Sequence, residues 1–291
     1  MTTDIIITGI GSPIPSATDA GPGVLVRHRD SAGHETHLQF DAGRATLMRL
    51  VAADSGPGNL DALFLTHHHS DHCTGLEDII LTRWVMDRQD TYGPLTVVAP
   101  DGPAADFARQ ALSGWEDDLA VRRQHSGRTT IAGVDVRAFR YPDGVEEVWS
   151  ANDVKVLAGQ VRHEPVHPAV GYRIETPDGA VAISGDTRVC DEVADLADGV
   201  EVLVYEAMRF SAFDDMPRRR TFILDYHADT IAIGRQAAEI GVPTLVLTHL
   251  IPAPKRDTDR QLFVDDIRAG GYQGEVIVAK DLSSVRLGER S

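Results

Sequence analysis

The chain has 291 residues, of which 42% are hydrophobic and 25% charged, and its formal net charge at pH 7 is −16. This length and apolar content, with no Pro/Ser-rich linker, repeat or low-complexity tract, predict one domain over residues 1–291 with a sizeable core. The acidic balance argues against a general affinity for nucleic acid, which needs concentrated lysine and arginine, although it leaves room for a local basic patch.

The cysteines and the N-terminal residues bear on the compartment. Two cysteines, Cys73 and Cys190, make no disulfide framework. The start of the chain has no basic region, and the run Ile5–Ile7 is too short for the apolar part of a signal peptide. Because no apolar run is long enough to span a bilayer either, the sequence predicts a cytoplasmic protein with no membrane partner.

The first part of the chain alternates strand-like and loop-like segments. Strands are predicted over 4–8, 24–27 and 36–40, with a Gly- and Pro-rich loop over 9–23. Asp41 follows the third of these strands and is a candidate N-cap for a helix over 44–53.

An apolar run over 60–65 then leads into a dense group of metal-binding side chains. His67 and His69 are two residues apart, so in extended backbone they project to the same side and can reach one cation. Asp71 and His72 follow where the chain turns, and can reach a second position. Imidazole and carboxylate together suit Zn²⁺, and also Mn²⁺ or Fe²⁺. Four candidate ligands in six residues therefore predict two divalent metal ions.

The pattern His67-x-His69-x-Asp71-His72 resembles the signature of the metallo-β-lactamase superfamily. The nearest branch is similar to the tRNase Z-like and arylsulfatase-like hydrolases. The resemblance implies an α/β (α+β) fold, a four-layer αββα sandwich in a single domain, with a metal site at one edge. It also gives Asp41 a second interpretation, in which its carboxylate supports the ligand loop from behind.

Three further positions match the family's ligands. His163 lies where a predicted strand over 154–161 ends, Asp186 lies in the segment Ser-Gly-Asp-Thr, and His249 lies in Leu-Thr-His. The resemblance implies that Asp186 bridges the two metal ions and that the other ligands divide into two sets. The first set is His67, His69 and His163, and the second is Asp71, His72 and His249. His167 has no such counterpart and is interpreted as a loop histidine.

Glu206 and His227 match a glutamate–histidine pair of the tRNase Z-like branch. The match is incomplete, since Tyr205 and Met208 stand where that branch has histidine and threonine, and Ala228 departs from the pattern after His227. The resemblance implies a hydroxide bridging the metals as nucleophile, with Asp71 orienting it. We hypothesise that His227, held by Glu206, stabilises the developing oxyanion or protonates the leaving group.

The resemblance implies a metal-dependent hydrolase, and the expected partner is a small-molecule ester, with a phosphodiester or sulfate ester favoured. Alternatives are a lactone or thioester hydrolase, a tRNA 3′-processing endonuclease, and a non-catalytic carrier on the same fold. The nuclease is disfavoured because the segment 113–152 lacks a basic Gly/Pro-rich arm; its basic group is Arg122, Arg123 and Arg128. A homodimer is left open. Arg218–Arg220 belong either to a solvated loop or to a lid over an anionic substrate.

Overall fold

The computed structural model describes residues 1–217 and 221–288. The arginine run Arg218–Arg220, with its two interpretations, lies outside the described residues. Within them, two seven-stranded sheets pack face to face with helices on their outer surfaces. This arrangement confirms the predicted αββα sandwich. No helix in the described ranges is both long and apolar enough to cross a membrane.

The two sheets divide the chain into halves, apart from the last strand. The strands are β1 (Thr2–Gly9), β2 (Gly23–Arg29), β3 (Glu35–Phe40), β4 (Ala62–Phe64), β5 (Leu95–Pro100), β6 (Val134–Phe139), β7 (Val145–Ala151), β8 (Val154–Gln160), β9 (Val170–Thr176), β10 (Gly179–Ile183), β11 (Val202–Met208), β12 (Thr244–Ile251), β13 (Glu275–Val278) and β14 (Ser284–Arg286). The first sheet has the order β14-β1-β2-β3-β4-β5-β6, and the second has β13-β12-β11-β10-β9-β8-β7.

The described helices connect these strands across the outer faces. They are α1 (Thr46–Ala52), α2 (Ser70–Cys73), α3 (Leu76–Met86), α4 (Pro103–Gln110), α5 (Glu116–Ser126), α6 (Asp191–Leu196), α7 (Thr230–Ile240) and α8 (Asp257–Ala269), with short 3₁₀ turns at Pro57–Asn59, Phe210–Phe213 and Phe222–Asp225. The helix predicted over 44–53 is shorter than expected, and Ala45 rather than Asp41 is its N-cap residue.

The core between the sheets is aromatic where it approaches the ligand loop. The rings of Phe40 and Phe64 stack with centroids 4.7 Å apart, and the Tyr172 ring packs against both. The Tyr172 hydroxyl crosses from the second sheet and donates a hydrogen bond of 2.6 Å to the Leu65 carbonyl. This bond fixes the first sheet against the second directly before the ligand loop begins.

Strand direction explains why the candidate ligands meet. Strands β3, β4 and β5 are parallel to one another, and so are β10, β11 and β12. The carboxyl ends of parallel strands lie on one edge of a sheet, which is where open α/β sheets bind ligands. Asp41 follows β3, the ligand loop follows β4, Asp186 follows β10, and Glu206 and His249 lie near the ends of β11 and β12. Both sheets therefore deliver their polar residues to the same edge.

Candidate metal centre

The loop after β4 turns immediately into the single-turn helix α2. His69 is the N-cap residue of α2 in extended backbone, and Asp71 and His72 lie within its single turn. His67, Asp71 and His72 are each at most 2% exposed. Three of the four predicted ligands on this loop are thus buried rather than solvated, and His69 is half-buried.

Asp41 and Thr66 orient the histidines of this loop. Asp41 accepts hydrogen bonds from the Thr66 amide at 2.9 Å and from the Thr66 hydroxyl at 2.9 Å. The hydroxyl oxygen of Thr66 in turn lies 2.9 Å from Nδ1 of His67. Because the hydroxyl proton already goes to Asp41, His67 donates from Nδ1 and presents the lone pair of Nε2 to the centre. Of the two interpretations of Asp41, these contacts match the supporting one.

The second half of the chain supplies the facing side of the centre. Nδ1 of His163 donates to the Tyr226 carbonyl at 2.9 Å, and its Nε2 lies 3.2 Å from Nδ1 of His69. One carboxylate oxygen of Asp186 lies 3.4 Å from Nε2 of His249. The other lies 3.3 Å from Nε2 of His72. Asp186 therefore stands between groups from both halves of the chain.

The donor atoms form compact sets. One set comprises His67, His69, His163 and Asp186, a second comprises Asp71, His72 and His249, and a third comprises Asp186, His227 and His249; within each set the donor atoms lie within 4.8 Å of one another. The first set brings His67, His69 and His163 together with Asp186, and the second brings together Asp71, His72 and His249. The third shows that His227 approaches the centre closely, although its Nδ1 is already bonded to Glu206.

These residues fit divalent cations. Among the described residues, the buried Nε2 atoms of His67 and His72 have no hydrogen-bond partner. His72 donates from Nδ1 to Asp41 at 2.7 Å, so its Nε2 lone pair faces an Asp186 oxygen, and two acceptors need a positive charge between them. Burial opposes protonation of His72, but Asp186 and Asp41 together raise the pKa of His72 well above its ordinary value. A bound cation would satisfy both acceptors.

His67 and His163 favour their neutral form. Burial lowers the pKa of His67 well below its ordinary value, and it lowers the pKa of His163 to about 4. A neutral imidazole has the lone pair that a metal requires. Burial opposes the charge of Asp186, but His249 and His72 hold its pKa well below its ordinary value. His67 and His163 therefore present neutral imidazoles beside the ionised carboxylate of Asp186, and such donors suit zinc, manganese or iron.

Glu206 and His227 form a buried pair beside the centre. Their side chains are 1% and 5% exposed, and Oε1 of Glu206 lies 2.8 Å from Nδ1 of His227. The Thr187 amide, next to Asp186, also donates to Oε1 of Glu206 at 2.9 Å. Burial opposes a charged His227, but Glu206 raises its pKa to about 9. The pair therefore places a protonated imidazole at the edge of the donor sets.

The departures from the family pattern lie outside this geometry. Successive side chains on β11 point to opposite faces, so Tyr205 faces away from Glu206 and donates a hydrogen bond of 2.8 Å to Gln236 of α7. Ala228 is buried, and its carbonyl accepts from the Met208 amide at 2.9 Å. His167 is exposed on its loop and packs against the Tyr141 ring at 4.5 Å. It belongs to none of the donor sets.

Sequence reasoning missed three groups that support the centre. Thr66 orients His67, the Tyr226 carbonyl orients His163, and the Ser184 hydroxyl accepts from the Glu206 amide at 3.1 Å. Thr66 adjoins the histidine motif and Ser184 lies in the Ser-Gly-Asp-Thr segment, so proximity was a usable signal for both. No sequence signal identifies the Tyr226 carbonyl, because a backbone group acts through position alone.

Comparison with known proteins places this centre in a family. Residues 18–250 match the model of the "Beta-lactamase superfamily domain". The chain is 34% identical over 288 residues to a protein named Ribonuclease Z from Mycolicibacterium gilvum, covering 98% of this chain and 96% of that one. It is also 34% identical over 289 residues to Ribonuclease Z from Mycobacterium bovis, covering 99% of each.

These relatives correct the predicted partner. The expectation of a small-molecule ester, with nucleic acid argued against, was wrong, because the full-length relatives are named as ribonucleases. The net charge of −16 was a poor guide to nucleic-acid binding, because it sums the charges of the whole chain. Binding of an anionic polymer depends instead on the charges that line its path to the site.

Solved structures share the fold. The metallo-beta-lactamase fold protein YhfI from Bacillus subtilis superposes with a TM-score of 0.73 at 20% identity, covering 98% of this chain and all (100%) of that one. The short form of human tRNase Z superposes with a TM-score of 0.65 at 19% identity, covering 97% of this chain and 98% of that one. With the family match and the full-length relatives, the chain belongs to the metallo-β-lactamase superfamily of hydrolases, in its tRNase Z-like branch.

Proposed function

We propose that this protein is a metal-dependent endoribonuclease that hydrolyses a phosphodiester bond in RNA, with the 3′ end of a tRNA precursor as the favoured substrate. The full-length similarity to proteins named Ribonuclease Z is the observation that carries the choice of RNA. The geometry of the candidate metal centre supports the choice of phosphodiester hydrolysis, as follows.

The proposed metal ligands are the residues of the first two donor sets. One cation would be held by His67, His69 and His163, the other by Asp71, His72 and His249, with Asp186 between them. Bound divalent cations would supply Lewis-acid polarisation of the phosphate and a water acidic enough to attack it near neutral pH.

The chain's own groups supply the remaining chemistry. Asp71 lies 3.4 Å from Nε2 of His249 and is 2% exposed, so its carboxylate has a fixed direction from which to orient an attacking water. His227 carries a proton beside Asp186 and His249 and is held by Glu206. In phosphodiester hydrolysis a ribose oxygen leaves with developing negative charge, and a positioned imidazolium can donate a proton to it.

The absence of a basic arm over 113–152 does not decide the substrate. In the structure this segment contains α5, which has no buried residues and stands exposed on the surface. Arg122 on α5 pairs with Asp118, and Arg128 donates to the Trp84 carbonyl beneath it. The basic group named from the sequence is therefore partly engaged within the protein, and RNA contacts need to be sought nearer the centre.

The proposal is tested by incubating the metal-loaded protein with an RNA hairpin that carries a 3′ single-stranded extension. We expect cleavage at a defined position near the end of the stem, and we expect the His67→Ala variant to lose it. An exposed histidine provides the matched control, since His125→Ala on α5 removes an imidazole far from the donor sets. A metal-loaded protein that leaves this RNA intact while hydrolysing bis(p-nitrophenyl) phosphate would refute the RNA substrate.

A further inference from the structure

A basic cleft begins a few residues along the chain from His249, in a protein that is acidic overall. The cleft has a volume of about 590 Å³ and lies between residues 14–19 on one side and residues 253–260 on the other. Its cations are Lys255, Arg256, Arg260 and Lys280, and its lining carboxylates are Asp19 and Asp257. Among the lining residues four cations stand against two carboxylates, and Asp259 and Asp281 lie beside them, so the cleft is far less acidic than a chain with a net charge of −16.

The two walls of the cleft are continuous with the loops of the centre. Lys255 follows His249 by six residues, which limits their separation to about 20 Å even in extended backbone. The Leu250 amide donates to the Ile10 carbonyl at 3.0 Å, which joins the strand that carries His249 to the loop after β1. At the other end of that loop, Gly21 packs so closely that an added Cβ would lie 3.1 Å from the Asp71 carbonyl oxygen.

Asp281 holds the cleft in shape. Its carboxylate accepts from the amides of Ile10 at 3.2 Å and Ala20 at 2.8 Å, and from Nε of Arg49 at 2.6 Å. Arg49 also donates to the Thr18 carbonyl at 2.6 Å, so the 14–19 wall is fixed at both ends. The geometry of the cleft is therefore present before any ligand binds.

The cations of the cleft remain available to an anionic ligand. The Lys280 and Arg256 side chains are 62% and 78% exposed, and they pair with Asp257 at 3.1 Å and Asp259 at 2.9 Å. Exposed pairs of this kind contribute little to stability and are screened by salt. Phosphates can therefore replace Asp257 and Asp259 as partners of these two cations at small cost. Arg260 differs, because it is partly buried and donates to the Ala279 carbonyl.

We propose that this basic cleft binds the phosphate backbone of the RNA on one side of the scissile bond. The inference rests on the proposed ribonuclease function and assigns a path for its substrate. A separation of at most about 20 Å corresponds to about six stacked nucleotides at 3.4 Å each. A strand whose scissile phosphate lies at the metal centre can therefore reach Lys255, and Lys280 lines the same cleft.

The test compares two double variants that remove equal charge. The double variant Lys255→Ala/Lys280→Ala removes both lysines that line the cleft. Arg29→Ala with Arg137→Ala is the matched control, since these arginines are 56% and 57% exposed and lie outside the cleft lining. Binding of a fluorescent RNA hairpin with a single-stranded 3′ end to the metal-loaded protein is followed by anisotropy at several salt concentrations, with RNA integrity checked on a gel.

We expect the lysine variant to bind RNA more weakly and to lower the slope of log K against log salt by about 1.4–1.8, because each phosphate that a lysine neutralises accounts for about 0.7–0.9 of that slope. The control should keep the wild-type slope. A slope in the lysine variant equal to that of the wild type, or an equal loss in the control, overturns the proposal. Because anisotropy is read only from samples whose RNA is intact on the gel, a cleft that fails to bind RNA is distinguished from a protein that binds RNA but does not cleave it.

Discussion

The carboxylate of Asp41 lies 2.7 Å from Nδ1 of His72 and accepts a hydrogen bond of 2.9 Å from the Thr66 hydroxyl, which itself lies 2.9 Å from Nδ1 of His67. One buried carboxylate thus fixes the tautomers of two histidines that belong to different donor sets. It does so from a residue in left-handed backbone, with φ of 56°, directly after β3. Few L-residues adopt this conformation without compensation, and aspartate is among those that do so most often.

Replacing Asp41 should weaken metal binding without removing a proposed ligand. In Asp41→Ala, His72 loses its acceptor and Thr66 is free to rotate, so the Nε2 atoms of both histidines lose their fixed direction. Removal of such supporting hydrogen bonds lowers metal affinity by about 10–100-fold. Competition with a chelator measures the change. Asp61→Ala is the control, because Asp61 also accepts a backbone hydrogen bond, from the His37 amide, but lies outside the donor sets. Equal affinities for the Asp41 variant and the wild type would contradict the assigned role.

The site residues differ in how far the sequence could reveal them. The loop from His67 to His72 is local, so spacing and a preceding apolar strand were enough to indicate it. His163, Asp186 and His249 come together only because parallel strands share an edge, and a resemblance was needed to select them. The Tyr226 carbonyl and the direction of Tyr205 depend on packing between distant segments, which spacing does not encode. The substrate was misjudged because charge was counted over the whole chain, whereas binding depends on the charges along the path to the site.

His227 should matter more for RNA than for an activated ester. If its proton goes to the leaving oxygen, His227→Ala removes assistance that a ribose alkoxide needs and that p-nitrophenolate, a stable leaving group, hardly needs. General acid catalysis contributes about 10²–10⁴-fold. We therefore expect kcat on RNA to fall by about that factor, with a much smaller fall on bis(p-nitrophenyl) phosphate.

Metal content decides how the His227 result is interpreted. His227 lies within one donor set, so metal is measured by mass spectrometry of the purified variant before the kinetics. A variant with wild-type metal content and equal losses on both substrates would exclude proton donation to the leaving group. His125→Ala, on the exposed helix α5, serves as the matched histidine control.

Glu206 should act through His227 rather than on substrate. Its Oε1 contacts Nδ1 of His227 at 2.8 Å, and at 1% exposure it has no path to a ligand of its own. Glu206→Gln should reduce kcat on RNA, because the imidazole loses the charge that raises its pKa. Residues that act as a unit are not additive. The double variant with His227→Ala should therefore be no slower than His227→Ala alone, and a further tenfold fall would assign Glu206 a separate role.

His37, a buried histidine on β3 outside the donor sets, should make the free energy of unfolding depend on pH. His37 is 2% exposed, and its Nδ1 lies 2.5 Å from the Ser55 hydroxyl while its Nε2 lies 3.3 Å from Glu35. Burial lowers the pKa of His37 and outweighs the attraction of Glu35 and Asp61, while Arg27 adds to the lowering. The unfolded chain therefore binds more protons than the fold does below the ordinary histidine pKa of about 6.5.

The sign of this effect follows from linkage. A group that binds fewer protons when folded makes the free energy of unfolding rise with pH, by at most about 1.4 kcal/mol per pH unit for one proton. The stability that His37 contributes should be complete above about pH 6.5 and should decline as pH falls toward its lowered folded pKa. Urea unfolding at pH 7 and pH 5 measures the decline, and His37→Gln should reduce it while His125→Gln leaves it as in the wild type. Because both variants share the histidines of the metal centre, their difference isolates His37; identical pH slopes in His37→Gln and the wild type would show that His37 is protonated as readily in the fold as outside it.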